Sequence, residues 1–209
     1  MPIHDFWLFV VASLALNITP GNDMIYVITR STSQGVRAGV VSAFGIMGGC
    51  LVHILAAVVG LSALIAGSAL AFDLIKYAGA AYLFYLGIRA LLSKKNTIRI
   101  DQTLEKKGYR QLFWQGVVTN TLNPKVALFF LAFLPQFIDV HSKGTTGAIL
   151  FLGIWFNVSG TFINILVAWL FGTIGQWLHR SRRFIQWQQR VTGLLLVALG
   201  IKVAISSRK

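Results

Sequence analysis

Long apolar stretches dominate this sequence and leave it few ways to fold. Six can be drawn, roughly over residues 6–30, 39–66, 70–92, 112–138, 147–171 and 184–205. About twenty apolar residues make one membrane-spanning helix, so six spans use most of a 209-residue chain. The composition agrees: 56% of the residues are hydrophobic and 12% charged, against about 25% charged in an ordinary soluble domain. A water-soluble enzyme, a disordered tail and a disulfide scaffold are excluded, and the alternating strands of a membrane barrel are absent from the pattern. The expected fold class is an all-α membrane protein, one transmembrane domain over 1–209. The start, MPIHDFWLFV, has no basic leader region and no small-residue cleavage site, and is read as a retained first span. The single cysteine, Cys50, has no partner for an intrachain disulfide.

A formal charge of +13 would suit a nucleic-acid binder, but its placement says otherwise. Thirteen of the 19 basic residues fall after stretches one, three and five: Arg30 and Arg37, then seven between Arg89 and Arg110, then Arg180, Arg182, Arg183 and Arg190. Basic connections stay cytoplasmic. The excess is therefore a topology signal, with both termini expected on the periplasmic side and no nucleic-acid partner. Lys202, Arg208 and Lys209 in the tail run against this pattern. Trp177 and Trp187 suit an interfacial belt, and Gln186, Gln188, Gln189 and Arg190 make the first turns of the sixth stretch polar.

The chain also repeats itself. Leu86-Gly87-Ile88 returns as Leu199-Gly200-Ile201, Gly39 and Gly45 return as Gly147 and Gly153, and Pro20 returns as Pro124, at offsets of 113, 108 and 104 residues. Three spans per half, an odd number, turn the second half upside down relative to the first. The expected plan is two inverted three-helix repeats, about 1–93 and 111–209, joined by a cytoplasmic basic loop over about 94–110. Many secondary transporters share this plan.

Two of the stretches are broken near their middles. The first carries Asn17, Thr19, Pro20, Gly21, Asn22 and Asp23; the fourth carries Asn120, Thr121, Asn123, Pro124 and Lys125. Proline removes a backbone donor and clashes with the preceding turn, and lipid offers no partner to the carbonyls so freed. Such breaks survive only against protein or a wet cavity, and paired interruptions in matching halves point to a transport site. Half-helices starting near Met24 and Val126 would direct positive dipole ends to the midplane. Lys125 suits a carboxylate, and Asp23 an ammonium group or a proton. Together they suit a zwitterion, the form of a free amino acid. The plainer alternative makes Asp23 a helix cap and Lys125 its structural counter-ion. Candidate substrate-binding residues are Asn17, Pro20, Gly21, Asn22, Asp23, Asn120, Asn123, Pro124 and Lys125.

The other polar groups are less specific. His53, with Asp23, is a candidate for proton coupling; alternatively its ring meets a backbone carbonyl or water. Asn157, Thr161 and Asn164 recur at helical spacing, either lining a pathway or joining helices by hydrogen bonds. Gly35/Gly39 and Gly45/Gly49 have the spacing of close helix packing. No metal site and no cofactor are expected.

Thr19-Pro20-Gly21-Asn22-Asp23, then Gly35, Gly39 and the second stretch through His53, Gly60 and Leu61, resemble the LysE/RhtB family of amino-acid exporters. Tyr85-Leu86-Gly87, Gly116, Asn123-Pro124-Lys125 and Leu134-Pro135-Gln136-Phe137 fit the same family in order, and the resemblance covers essentially the whole chain. It implies a small bacterial inner-membrane exporter of amino acids or close derivatives such as homoserine, threonine, leucine or lysine. It further implies coupling to the proton gradient and, often, a homodimer. On the matching motifs it carries over Pro20, Gly21, Asp23, Asn123, Pro124 and Lys125 as site residues. One departure stands out: the family usually has Thr-Pro-Gly-Pro, and here Asn22 replaces the second proline, which relaxes the break and adds an amide. Two alternatives compete with amino-acid export. A metal-cation exporter would want clustered carboxylates, His or Cys, whereas only Asp23, His53 and Cys50 are candidates and Lys125 repels a cation. A membrane-embedded enzyme would need a nucleophile and base within reach, and most of the four histidines and six acidic residues sit at span ends.

Overall fold

In the computed structural model the described residues are 2–67, 105–139, 142 and 144–178, with single positions between 77 and 92 and between 190 and 201. They are helical throughout, apart from connections and one isolated antiparallel bridge between Ile3 and Ile138. The helices are α1 (Phe6–Ile18), α2 (Asn22–Gln34), α3 (Val36–Gly67), α4 (Tyr109–Thr121), α5 (Pro124–Leu128) and α6 (Thr145–Leu178). After α5 the chain widens into a π segment, Phe129–Phe133, and tightens into a 3-10 turn, Leu134–Phe137. Pro135 has no N–H for the carbonyl four residues before it, which loosens the α-helical register at that point.

Two helices are long and apolar enough to cross a membrane by themselves, over Val36–Gly60 and Thr145–Thr173. The pair α1 and α2 bends by 48°, and Tyr109–Thr121 with Pro124–Phe137 bends by 46°, each at a short break. Counted as broken spans, these raise the total to four, and they coincide with the first and fourth apolar stretches. The third and sixth expected spans lie mostly outside the described residues, as does most of the 94–110 loop. Where they are described the positions are helical, and each of the repeated glycines, Gly87 and Gly200, lies close against the other stretch. A Cβ on Gly87 would stand 2.8 Å from the Gly193 carbonyl oxygen, and one on Gly200 3.0 Å from that of Ala80.

Directions follow from the contacts. Phe6 packs on Phe151 and Trp155, and Thr32 reaches the carbonyl of Phe171, so the first broken span runs parallel to α6. Gly45 faces Gly116 and Gly49 faces Val117 and Asn120, so α3 runs parallel to α4. Met47 meets Asn157, and Val36 meets Gly172, so α3 and α6 are antiparallel. The two broken spans consequently run in opposite directions. Large side chains such as Trp7, Leu55, Val59, Phe162 and Trp169 lie exposed on the outside, as a lipid-facing surface requires.

Along the seam between α3 and α4 the two backbones come close together. A Cβ at Gly49 would lie 2.5 Å from the carbonyl oxygen of Val117 and 2.8 Å from Cβ of Asn120. One at Gly116 would lie 2.7 Å from the carbonyl oxygen of Ser42. Backbone on both sides cannot yield, so only glycine fits, in keeping with the packing expected for Gly45/Gly49. Gly49→Ala and Gly116→Ala should each destabilise the detergent-solubilised protein by about 2 kcal/mol. Gly60→Ala, where nothing lies within 4 Å, should leave the thermal unfolding midpoint unchanged; equal midpoints for all three would contradict this packing.

Candidate substrate site

Each break leaves a carbonyl without its helical partner. Pro20 cannot serve Leu16 O, and Pro124 cannot serve Asn120 O, because each proline lies four residues on and lacks an N–H. Each keeps a shorter-range backbone bond, from the Thr19 N–H at 3.1 Å and the Asn123 N–H at 2.8 Å, and a side chain from elsewhere in the bundle adds a second. Lys125 Nζ donates to Leu16 O at 3.1 Å and to Thr19 O at 3.0 Å, placing its charge at the negative end of α1. His53 Nε2 lies 2.9 Å from Asn120 O. A carbonyl only accepts, so this nitrogen carries the hydrogen. Gly21 keeps the crossing narrow: a Cβ there would stand 3.2 Å from Lys125 Nζ.

The restart of each span is built differently. Gly21 is extended (φ −153°, ψ −172°) and opens α2, with Asp23 in the first turn, where a negative charge is favoured. Asp23 is 8% exposed. Its Oδ2 accepts from Asn120 Nδ2 at 2.8 Å, and its Oδ1 has no partner among the described residues. At the other break Asn123 caps α5, its side-chain oxygen accepting from the Lys125 N–H at 3.0 Å. The two starts fall at Asn22 and Pro124, two residues before the expected positions. A five-residue α5 is also too short to present the dipole expected near Val126. Nor do Asp23 and Lys125 form a direct ion pair; each is held by partners from the opposite broken span.

Both breaks open onto one cavity with about 420 Å³ of empty space, its mouth included. Of the expected residues, Asn17, Asp23, Asn120 and Lys125 line it, and so do Asn157, Thr161 and Asn164 from α6. Pro20, Gly21, Asn22, Asn123 and Pro124 shape the breaks and do not line the wall, and His53 stands behind it, stacked on Phe130. Asn17 donates to Phe156 O and Ser159 Oγ, both at 3.2 Å, and lies over Gly160. Asn157 donates to Met47 O at 3.2 Å, and Thr161 Oγ1 to Asn157 O at 2.8 Å. Sequence reasoning did not single out the apolar part of the wall: Met24, Ile46, Cys50, Val126 and Phe156. Such residues read as ordinary span interior; Met24, Val126 and Phe156 are sequence neighbours of Asp23, Lys125 and Asn157, and Ile46 and Cys50 stand one turn apart on α3.

A model of the LysE type translocator family matches residues 14–207. The chain belongs to this family. Among its relatives, the uncharacterized membrane protein YrhP of Bacillus subtilis (strain 168) is 30% identical over 98% of this chain and 100% of its own length. The uncharacterized membrane protein PA4757 of Pseudomonas aeruginosa is 29% identical over 98% of this chain and 97% of its own. The leucine efflux protein of Salmonella choleraesuis (strain SC-B67) is 25% identical over 97% of this chain and 95% of its own. No solved structure matches. This LysE-type translocator is a transporter by family, with efflux among the relatives' activities and the membrane as its location.

The cross-bracing carries a stability consequence for the translocator. Asn120→Leu would leave the buried Asp23 carboxylate with neither oxygen bonded, and an unsatisfied buried polar group costs about 1–3 kcal/mol, more when charged. The thermal midpoint in detergent should fall for Asn120→Leu, and Asp23→Asn in the same background should restore part of the loss. No recovery in the double variant would show that the two side chains are not coupled.

Proposed function

We propose that this chain exports amino acids or close derivatives across the bacterial inner membrane as a secondary transporter. On this reading six spans form two inverted three-helix repeats, both termini lie in the periplasm, and Asp23 couples transport to protons. His53 bears on Asp23 only through Asn120, whose backbone it meets and whose side chain meets Asp23.

The observation that carries the proposal is the unspent bonding capacity on one cavity wall. Asp23 Oδ1 has no partner among the described residues. Lys125 Nζ spends two donors on Leu16 and Thr19, and an ammonium has three. One free carboxylate oxygen and one free ammonium N–H suit the two ends of a zwitterion, with the Asn164 amide beside them. Met24, Ile46, Cys50, Val126 and Phe156 then face the substrate's side chain. Such a wall favours an apolar side chain over a cationic one, which fits the efflux of leucine named for one relative. A metal cation would meet one carboxylate and a resident positive charge, which is poor coordination.

The test is counterflow of labelled amino acids in proteoliposomes. Leucine should exchange at least tenfold faster than lysine. Asp23→Asn should abolish proton-driven accumulation while sparing some exchange, and Lys125→Met should abolish both. Unchanged exchange in both variants would remove the site assignment, and no exchange of any amino acid by the wild type would remove the proposed substrate class.

A further inference from the structure

The cavity is flanked by unequal apolar layers. Toward the N-terminus lies a large apolar cluster with a ring stack of Phe9, Phe129, Phe130, Phe133, Phe137 and Phe156. Toward the end of α2 and the start of α4 the buried cluster is smaller, Val27, Ala43, Ile46 and Ala168, with the Tyr26 ring packed against it. This thinner side is also the side of Arg37, Lys106, Lys107 and Arg110.

Beyond the thin layer, one face of α2 is latched to α4 and the residues before it. Tyr26 donates through its hydroxyl to Leu112 O at 2.8 Å, Arg30 Nη2 to Gln115 Oε1 at 3.3 Å, and Gln34 Nε2 to Lys107 O at 3.1 Å. The three are four residues apart and so share a helix face. Arg30 is the anomaly among them. It is 7% exposed, its guanidinium lies over the Tyr26 ring at 5.7 Å, and Nε and Nη1 have no partner among the described residues. No carboxylate pairs with it among the described residues. A buried charge held by one long bond to a neutral amide and the face of one ring is poorly compensated, so the latched state is held weakly just where Arg30 sits. α2 also starts at the Pro20–Gly21 break, about which it can swing.

We propose that Tyr26, Arg30 and Gln34 form the gate on the basic side of the cavity, and that Arg30 is a second substrate contact. When the gate opens, Arg30 leaves Gln115 and receives the carboxylate of an entering amino acid before it reaches Lys125. The proposal rests on the amino-acid reading above, but its gate does not.

The protein supplies its own reporter, because Cys50, the sole cysteine, lines the cavity and is 3% exposed. Alkylation of Cys50 by N-ethylmaleimide should be at least fivefold faster in Arg30→Gln and in Gln115→Ala than in the wild type. Rates within twofold in both variants would overturn the gate, whatever the substrate. In proteoliposomes, Arg30→Gln should raise the half-saturating leucine concentration on the basic side at least tenfold with less than a threefold change in maximal rate. Gln115→Ala should leave it within twofold, and Arg30→Lys should fall between. An unchanged half-saturating concentration in Arg30→Gln overturns the entry contact. Failure of wild-type leucine exchange with faster Cys50 alkylation in the variants would instead overturn the substrate reading alone.

Discussion

The structure depends on how it completes the bonding of backbone carbonyls that two prolines strip of their α-helical partners. In lipid such a carbonyl finds no water. Leu16 O and Asn120 O keep a bond from three residues on; Lys125 from the other broken span adds a second at Leu16, besides one at Thr19, and His53 from α3 adds one at Asn120. With Asn120 also donating to Asp23, the two interruptions support each other. The polar centre of the bundle is thus a consequence of its chain breaks.

Glycine makes this arrangement reachable. Asn120 comes within range of Asp23 and His53 because α4 lies almost backbone to backbone on α3 at Gly45, Gly49 and Gly116. A methyl group in that seam would push the whole of α4 outward, carrying the Asn120 amide away from its carboxylate partner. Packing and electrostatics are in this way one property. The same glycines that let helices approach also set the distances between the polar groups at the breaks.

Much of this was legible in the sequence, for identifiable reasons. Apolar length and the Pro-Gly and Asn-Pro interruptions located both broken spans, because these features act locally on the backbone. The polar stripe of Asn157, Thr161 and Asn164 was legible by its period, and all three reach the cavity wall. What local rules could not supply was pairing. Asp23 and Lys125 invited the reading of an ion pair by their opposite charges, yet each found a nearer partner in a group freed or turned by the opposite break. Met24, Ile46 and Cys50 were hidden because an apolar residue on a cavity wall has the same composition as one facing lipid. The π segment at Phe129–Phe133 was equally silent, since it arises from Pro135 acting backward on a helix that otherwise reads as regular.

The short pairing of Ile3 with Ile138 ties the beginning of the chain to the far end of the second broken span. His4 N–H donates to Phe137 O at 3.0 Å, and Asp139 N–H to Pro2 O at 2.8 Å. The clasp anchors α1 against the end of the other broken span, so a hinge at Pro20–Gly21 would turn α2 against a half that stays moored.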